Sequence, residues 1–102
     1  MSRKANKVVI LELIDLTFIT DYFIICSGNS DVQVRAIADA VMEGLKKEGE
    51  TCHHREGYGQ ARWILLDYQD VIVHIFYEEA RGFYQLEELW ADAKQITVIS
   101  DQ

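Results

Sequence analysis

Cys52, His53 and His54 form the group of side chains best suited to binding a metal ion. Neighbouring residues of an extended chain point to opposite faces, so at most two of the three could reach one ion. A structural zinc site needs four ligands, and the sequence has no second set at a suitable spacing. We therefore predict no metal site. His74, inside the apolar run VIVHIFY, is typical of a hydrogen-bonded histidine in a core or an interface.

The other groups that could take part in catalysis are one cysteine, one turn and two aspartates. Cys26 lies in an apolar run, where a thiol is usually a small core residue. Gly28 and Ser30 precede a predicted helix, where backbone amides attract anions, but the sequence has neither GxGxxG nor GK[ST] there. Nucleotidyl transfer would also need paired carboxylates for magnesium ions, and the nearest ones, Asp67 and Asp70, flank a turn.

We therefore predict that the protein is not an enzyme and uses no cofactor. The alternative hypothesis is a residual nucleotidyltransferase-like protein that binds nucleotide or phosphate through Gly28, Ser30, Asp67 and Asp70.

Five large aromatic side chains with polar atoms lie among the acidic residues of the C-terminal half. They are Trp63, Tyr68, Tyr77, Tyr84 and Trp90. Exposed aromatics surrounded by charges are typical of the energetic centre of a protein interface. Trp90 follows a helical spacing and is expected in the core. Trp63 and Tyr68, at the two ends of one predicted strand, are candidates for partner contacts.

Charge is distributed unevenly along the chain. The formal net charge is −7, and residues 63–102 carry −6 of it, with two basic and eight acidic residues. Such a field repels phosphates and attracts basic surfaces, so we expect no direct grip on nucleic acid. A solvated acidic face that maintains solubility would show the same asymmetry. The charge therefore favours a basic partner without identifying it.

A predicted mixed sheet positions these residues. Four apolar runs rich in β-branched residues have the length of strands covered by helices. They are Val8–Asp15, Tyr22–Ser27, Trp63–Tyr68 and Val71–Tyr77. Gln69 and Asp70 separate the last two, which predicts a hairpin with a two-residue turn. Residues 51–62 are expected to form a short edge strand and a loop, and residues 96–99 either a further edge strand or a frayed tail.

Two helices are predicted to pack on this sheet. Ser30 and Gln33 match a capping box, apolar residues from 34 to 45 recur at three- and four-residue steps, and Gly49 suits the left-handed position at a helix end. Apolar spacing from about residue 78 or 83 to residue 93 predicts the second helix. Helices on a mixed sheet give an α/β fold, and the 102 residues are expected to form a single domain, 1–102.

Composition and targeting signals bear on where the protein acts. Residues 8–16, the longest mostly apolar stretch, contain two acidic residues and are too short to cross a bilayer. The N-terminus has the features of neither a secretory signal nor an organelle presequence. The two cysteines are expected to be reduced thiols. These features predict a cytoplasmic protein with no membrane contact.

Three blocks of the sequence carry a family resemblance. They are TDYFIICSGNSDVQVRAIADAV (Thr20–Val41), WILLDYQDVIVHIF (Trp63–Phe76) and EEARGFYQLEELW (Glu78–Trp90). In content, order and spacing they resemble the Iojap or ribosomal silencing factor (RsfS) family. The similarity extends from about Lys7 to Ala93, and none of the blocks is a catalytic motif.

The resemblance implies a mixed α/β fold similar to that of nucleotidyltransferases but without their catalytic carboxylates. It also implies a translational repressor that binds the large ribosomal subunit through its fourteenth protein, on the intersubunit face, and sterically blocks joining of the small subunit. Ribosomal proteins are generally basic, so this partner would suit the acidic C-terminal half.

The resemblance also implies roles for individual residues. Trp63 matches the aromatic residue that opens the family's hairpin and is the first choice for a partner contact. The further expected contacts are Tyr68, Asp70, His74, Glu78 and Arg81. The positions expected to be structural, at turns and caps, are Asp21, Tyr22, Gly28 and Ser30.

The sequence departs from the family pattern at three places. Family members usually have a helix before the first strand, whereas only six residues precede Lys7 here, which would expose a patch that such a helix covers. Gln69 lies where the family commonly has glycine, which is expected to strain or reshape the turn. The tail after Ala93 is not distinctive. A homodimer built on an exposed sheet face or edge is a further hypothesis.

Overall fold

A computed structural model of the chain describes residues 6–16, 20–79 and 94–97, and the side chains of residues 8–16 and 20–79. Its elements in chain order are β1 (Asn6–Glu12), β2 (Tyr22–Gly28), α1 (Asp31–Lys47), β3 (His54–Glu56), β4 (Trp63–Asp67), β5 (Val71–Tyr77) and β6 (Lys94–Thr97). The strands form one sheet in the order β3-β4-β5-β2-β1-β6. Only the central β2–β5 pair is parallel, and the other described pairs are antiparallel.

The predicted mixed α/β class is confirmed, and so are the strands named from the sequence, with small shifts of their ends. The short edge strand expected within residues 51–62 is β3, at one edge of the sheet. The edge-strand alternative for the tail is confirmed by β6, which pairs with β1 at the other edge. Glu78 and Glu79 have helical backbone, and the remainder of the predicted second helix lies outside the described residues.

The predicted caps of α1 are present. The Ser30 hydroxyl accepts a hydrogen bond from the Gln33 amide at 3.1 Å. The Gln33 side chain reaches back to the amide of Asn29, one residue before the position that a capping box uses. Gly49 has a φ of +90°, and its amide and the next one bond back to carbonyls of the last helical turn, as in a Schellman motif.

The pleat of the sheet divides the core into two layers. One layer lies between α1 and the sheet, where the helix buries Val34, Ile37 and Ala38. The other lies on the opposite face and contains Leu11, Phe23, Ile25, Ile72 and Phe76. Successive residues of β4 therefore belong to different layers, because successive side chains of a strand point to opposite faces. No helix in the described part of the chain is long and apolar enough to cross a membrane.

The hairpin between β4 and β5 has the predicted two-residue turn. The Tyr68 amide donates to the Val71 carbonyl at 2.9 Å, which leaves Gln69 and Asp70 as the turn residues. Gln69 has a φ of +78°, and its amide bonds to the Asp67 carboxylate at 2.8 Å. An L side chain rarely adopts this backbone conformation, and glycine adopts it without steric cost. The turn is therefore strained at Gln69, the residue expected from the sequence to strain or reshape it.

Replacing Gln69 with glycine is expected to stabilise the protein by about 1 kcal/mol, since the relief of the positive φ exceeds the extra chain entropy of glycine. Urea denaturation would measure the change. Gln69→Ala is the matched control, because it removes the same side chain and keeps the strained conformation. Equal stability of the two variants would show that the turn is not strained.

Candidate partner-binding surface

Trp63 and His74 form a hydrogen-bonded pair on the sheet face opposite α1. Trp63 Nε1 donates to His74 Nδ1 at 3.0 Å. The Trp63 ring stacks on Phe76 with centroids 5.2 Å apart, and the His74 and Phe23 rings form a T-shaped pair with centroids 4.5 Å apart. Trp63 is half-buried, whereas His74 is only 3% exposed. Of the two, Trp63 has surface left for a partner, and His74 holds its ring in place.

The protonation state of His74 follows from this geometry. The indole N–H can only donate, so Nδ1 must accept and the proton of the neutral ring lies on Nε2. Nε2 is buried and has no hydrogen-bond partner among the described residues. Burial lowers the pKa of His74 from 6.5 to about 4. The ring is therefore neutral at physiological pH.

Acidification is expected to destabilise the fold through His74. In the unfolded chain the imidazole titrates near its ordinary pKa of 6.5, and in the folded protein only near 4. Above pH 6.5 the folded protein has the full stabilisation that this pKa difference provides. As the pH falls from 6.5 towards 4, the free energy of unfolding decreases by about 3 kcal/mol. Urea unfolding between pH 7.5 and pH 4.5 would measure it.

His74→Gln should be less stable at neutral pH and should lose less of its stability on acidification than the parent protein. The matched control is His53→Gln at an exposed position, which should keep the parent slope. An unchanged slope in His74→Gln would contradict the assignment.

Tyr68 lies on the other face of the sheet from Trp63. It follows Trp63 by five positions along an extended segment, and an odd separation reverses the side-chain direction. Its side chain packs in the layer beneath α1 and is 8% exposed. Burial is the main cause that raises the pKa of Tyr68, with a smaller effect of the neighbouring Cys52 thiol. The Cys52 contact lacks hydrogen-bond geometry, and the hydroxyl has no partner within the described part of the chain.

Asp70 and Glu78 lie at opposite ends of β5. Asp70 is exposed in the turn, and its carbonyl accepts hydrogen bonds from the amides of Asp21 (2.9 Å) and Tyr22 (3.1 Å), which joins the turn to the start of β2. Glu78 follows the far end of β5 and is half-buried. Arg81 lies outside the described residues. The expected contact residues that can be placed therefore occupy both faces and both ends of the hairpin rather than one patch.

The face that carries Trp63 includes two residues that were not predicted as contacts. Leu65 and Asp67 follow at alternate positions of β4, and both are half-buried. We call Trp63, Leu65 and Asp67 the Trp63 face. The alternation of β4 could have identified it from the sequence.

A constrained glycine in the loop before β4 positions Trp63. Gly57 has a φ of +81°, and a Cβ atom there would come closer than 3.0 Å to the Trp63 carbonyl oxygen. Its own carbonyl accepts a hydrogen bond from the Ala61 amide at 2.9 Å. Ala61 is 1% exposed and has a φ of +57°. The loop therefore lies directly against the start of the strand that presents Trp63.

Arg35 of α1 holds the same loop in place through hydrogen bonds to its backbone. Its Nε donates to the Tyr58 carbonyl at 3.1 Å, and its Nη2 to the Gly59 carbonyl at 2.6 Å. The Tyr58 hydroxyl donates to the Asp39 carboxylate, one turn further along the helix, at 2.9 Å. These contacts join residues about twenty positions apart, and no pattern in the sequence predicted them.

Comparison with known proteins decides the family. The sequence model of the family described as "Ribosomal silencing factor during starvation" (RsfS) matches residues 1–102. The chain belongs to the RsfS family. The predicted family membership is thereby confirmed, and ribosome silencing, a form of translation regulation, is the function of the family. The family is named for this role and not for an enzymatic reaction.

Individual RsfS relatives agree with this assignment. The ribosomal silencing factor RsfS of Halalkalibacterium halodurans is 44% identical over 94 residues, which cover 92% of this chain and 80% of that protein. The RsfS of Bacillus subtilis is 41% identical over 91 residues, covering 89% and 77%. A crystal structure of a Bacillus halodurans protein matches with a TM-score of 0.82 at 40% identity, covering 94% of this chain and 87% of that one.

The residues of the nucleotidyltransferase alternative are not brought together in this RsfS chain. Gly28 lies at the end of β2 that is opposite Tyr77, and Ser30 caps α1 beside it. Asp67 and Asp70 lie at the other end, where Tyr22 pairs with Val71: Asp67 pairs with Ile72, and Asp70 lies in the turn before Val71. Six residues of strand separate the two ends, which is roughly 20 Å. These four residues cannot contact one nucleotide phosphate together.

Two side chains of the cysteine–histidine cluster, Cys52 and His54, make hydrogen-bonding contacts within the chain. Cys52 Sγ donates to the His54 carbonyl at 3.2 Å, and His54 Nε2 lies 2.6 Å from the Glu56 carboxylate. Among the described residues, no group of three or more His, Cys, Asp and Glu side chains could hold a metal ion.

Gly28 and Ser30 lie where β2 meets α1. A Cβ at Gly28 would lie 3.1 Å from both the Val34 amide nitrogen and a Val34 methyl group, so glycine permits the close approach of helix and strand. Ser30 caps the helix. Both positions shape the backbone where the strand and the helix meet.

Proposed function

We propose that the protein is a translational repressor that binds the large ribosomal subunit and sterically blocks joining of the small subunit. Membership of the RsfS family is the observation that carries this proposal. The proposed contact is the fourteenth protein of the large subunit, on the intersubunit face, as the family resemblance implies. The protein would act in the cytoplasm as a single domain, 1–102, without a catalytic step.

The Trp63 face is the proposed centre of the contact. Trp63 and Leu65 offer apolar surface, and the pair with His74 fixes the indole before binding, which reduces the entropy lost on association. The hairpin carries acidic residues along its length: Asp67 on the face, Asp70 at the turn, and Glu78 and Glu79 beyond the far end of β5. This charge would attract a basic protein and repel ribosomal RNA. Arg81 completes the proposed set.

Steric blockade requires a stable interface and a body large enough to keep the two subunits apart. A standard interface buries about 800 Å² on each partner. This is roughly an eighth of the 6512 Å² surface of the chain. The molecule measures 34 × 32 × 25 Å. A body of this size on the intersubunit face would hold the small subunit away, because subunit joining requires surfaces to come within a few ångströms.

Co-sedimentation with isolated large and small subunits, at low and at physiological salt, would test the proposal. We expect binding to the large subunit alone, and fewer joined ribosomes when the small subunit is added. Binding should weaken as salt rises, since attraction between exposed charges is screened. Binding to neither subunit, or unchanged joining at saturation, would overturn the proposal.

Two further measurements would separate the other hypotheses. A thermal-shift screen with nucleotides and magnesium should be flat, whereas stabilisation by a nucleotide would revive the alternative function through mass action on the folded state. Light scattering over a range of concentrations would test the homodimer. A dimer built on the Trp63 face would compete with the ribosome.

A further inference from the structure

The loop between β3 and β4, residues 57–62, is bound in its middle by one side chain of α1. Arg35 lies in the second turn of the helix, and its guanidinium donates to two successive carbonyls of the loop, those of Tyr58 and Gly59. The planar fork of an arginine can reach two acceptors at fixed angles, which the ammonium group of a lysine cannot do. Arg35 therefore holds the backbone of two adjacent loop residues at once.

The backbone of this loop is strained and needs such support. Ala61 has a φ of +57°, which an L residue rarely adopts, and its side chain is 1% exposed. A strained conformation persists only where the surrounding contacts determine it. The end of the loop is joined to β5, because the Arg62 carbonyl accepts a hydrogen bond from the Tyr77 amide at 2.9 Å. The middle of the loop is joined to α1 through Arg35.

The same loop is in contact with the backbone of Trp63. A Cβ atom at Gly57 would collide with the Trp63 carbonyl oxygen, so the two backbones touch. The bond to His74 and the stacking on Phe76 orient the Trp63 ring, whereas the loop fixes the backbone that carries this ring. A displaced loop would therefore move Trp63 and misalign its hydrogen bond to His74, which weakens steeply with angle.

We propose that Arg35 is a positioning residue for Trp63, holding the indole, through the loop, in the conformation that binds the large subunit. The proposal rests on the proposed function, in which the Trp63 face is the centre of the contact. Arg35 is half-buried and belongs to α1, on the other side of the sheet from the Trp63 face. It therefore acts through the loop and not by touching the partner. A side chain that is already fixed loses less entropy on association.

NMR spectra of protein with ¹⁵N-labelled tryptophan would test the first step. Arg35→Ala should shift or broaden the indole N–H signal of Trp63, which is assigned by its loss in Trp63→Phe. Asp31→Asn is the matched control, because it removes the charge of the exposed ion pair with Arg35 and leaves both bonds to the loop. Its indole signal should remain in place. An unmoved signal in Arg35→Ala would overturn the proposal, whether or not the protein binds a ribosome.

Binding kinetics with immobilised large subunits would test the second step. Arg35→Ala should lower the association rate about five- to tenfold and change the dissociation rate less than about twofold. A smaller fraction of the free protein would have the binding conformation, while the contacts of the complex stay the same. Trp63→Ala removes a contact and should instead raise the dissociation rate. Unchanged rates in Arg35→Ala, or a raised dissociation rate that indicates a direct contact, would overturn the proposal.

Two further variants separate positioning from general stability. Arg35→Lys can reach one of the two carbonyls and should recover part of the association rate. Val8→Ala shortens a half-buried side chain of β1, three strands from β4, and should lose stability but bind at the parent rates. An equal loss of association rate in Val8→Ala and Arg35→Ala would assign the effect to stability. If the parent protein does not bind the large subunit, the proposed function fails, and the indole signal still decides whether Arg35 positions Trp63.

Discussion

Replacing Gly57 with alanine is expected to lower the free energy of unfolding by about 4 kcal/mol, at the upper end of single-substitution effects. Two causes act together. The positive φ of Gly57 is unfavourable for any L side chain. The added Cβ would also collide with the Trp63 carbonyl oxygen, a backbone atom that cannot move without displacing the start of β4. Urea denaturation with two spectroscopic probes would measure the change.

Two other glycines provide matched controls for Gly57. Gly49 has a similar φ of +90° but nothing within 4 Å of a Cβ atom, so Gly49→Ala should show the conformational effect alone, about 1 kcal/mol. Gly59, two residues from Gly57 in the same loop, has open space, and Gly59→Ala should change stability by less than about 0.5 kcal/mol. If Gly57→Ala is no worse than Gly49→Ala, the loop yields and the collision is not real.

Replacing Trp63 with alanine is expected to weaken binding to the large subunit by about 2 kcal/mol or more, roughly 30-fold in Kd. Truncating a tryptophan that becomes fully buried on binding removes the largest apolar contact that a side chain can make with the partner. The substitution also leaves the His74 Nδ1 without the indole donor and removes the stacking of Trp63 on Phe76. Its fold must therefore be verified by circular dichroism before affinity is measured by co-sedimentation.

Two variants distinguish a direct contact of Trp63 with the ribosome from a supporting role of Trp63 in the fold. Trp63→Phe keeps an aromatic ring and loses the N–H bond to His74, so it should retain most of the affinity if the ring is the contact. Tyr77→Ala removes a half-buried aromatic that packs in the layer beneath α1, on the other face of the sheet, and should leave ribosome binding unchanged. Unaltered affinity of a folded Trp63→Ala protein would remove Trp63 from the site.

Local patterns were sufficient to predict most of the described elements. Continuous apolar runs predicted β1, β2, β4 and β5, and the Ser30 cap with a three- and four-residue repeat predicted α1. These signals are local, because side-chain periodicity and capping depend on residues within a few positions of one another. His74 in an apolar strand was expected to be hydrogen-bonded, and its bond to Trp63 agrees with that expectation.

The positions of the candidate contacts were predicted less well than the helix and the strands, and the two cases differ in cause. Trp63 and Tyr68 were considered together as the ends of one strand, although five positions of extended chain point them to opposite faces. Strand parity was available from the sequence and would have grouped Trp63 with Leu65 instead. The loop at Gly57 is different, because Arg35 and the Trp63 carbonyl reach it from distant parts of the chain. Such long-range contacts leave no local signal.

The strand order has a consequence for how the molecule assembles. Val9 pairs with Thr97, 88 positions further along the chain, whereas β4 and β5 are joined by a turn of two residues. Closing so long a loop carries a larger entropic penalty, so the hairpin should form early and the β1–β6 pairing late. Until then the outer edge of β1 exposes unpaired amides and carbonyls to other chains. The interval before β6 docks is therefore when this protein is most prone to aggregate.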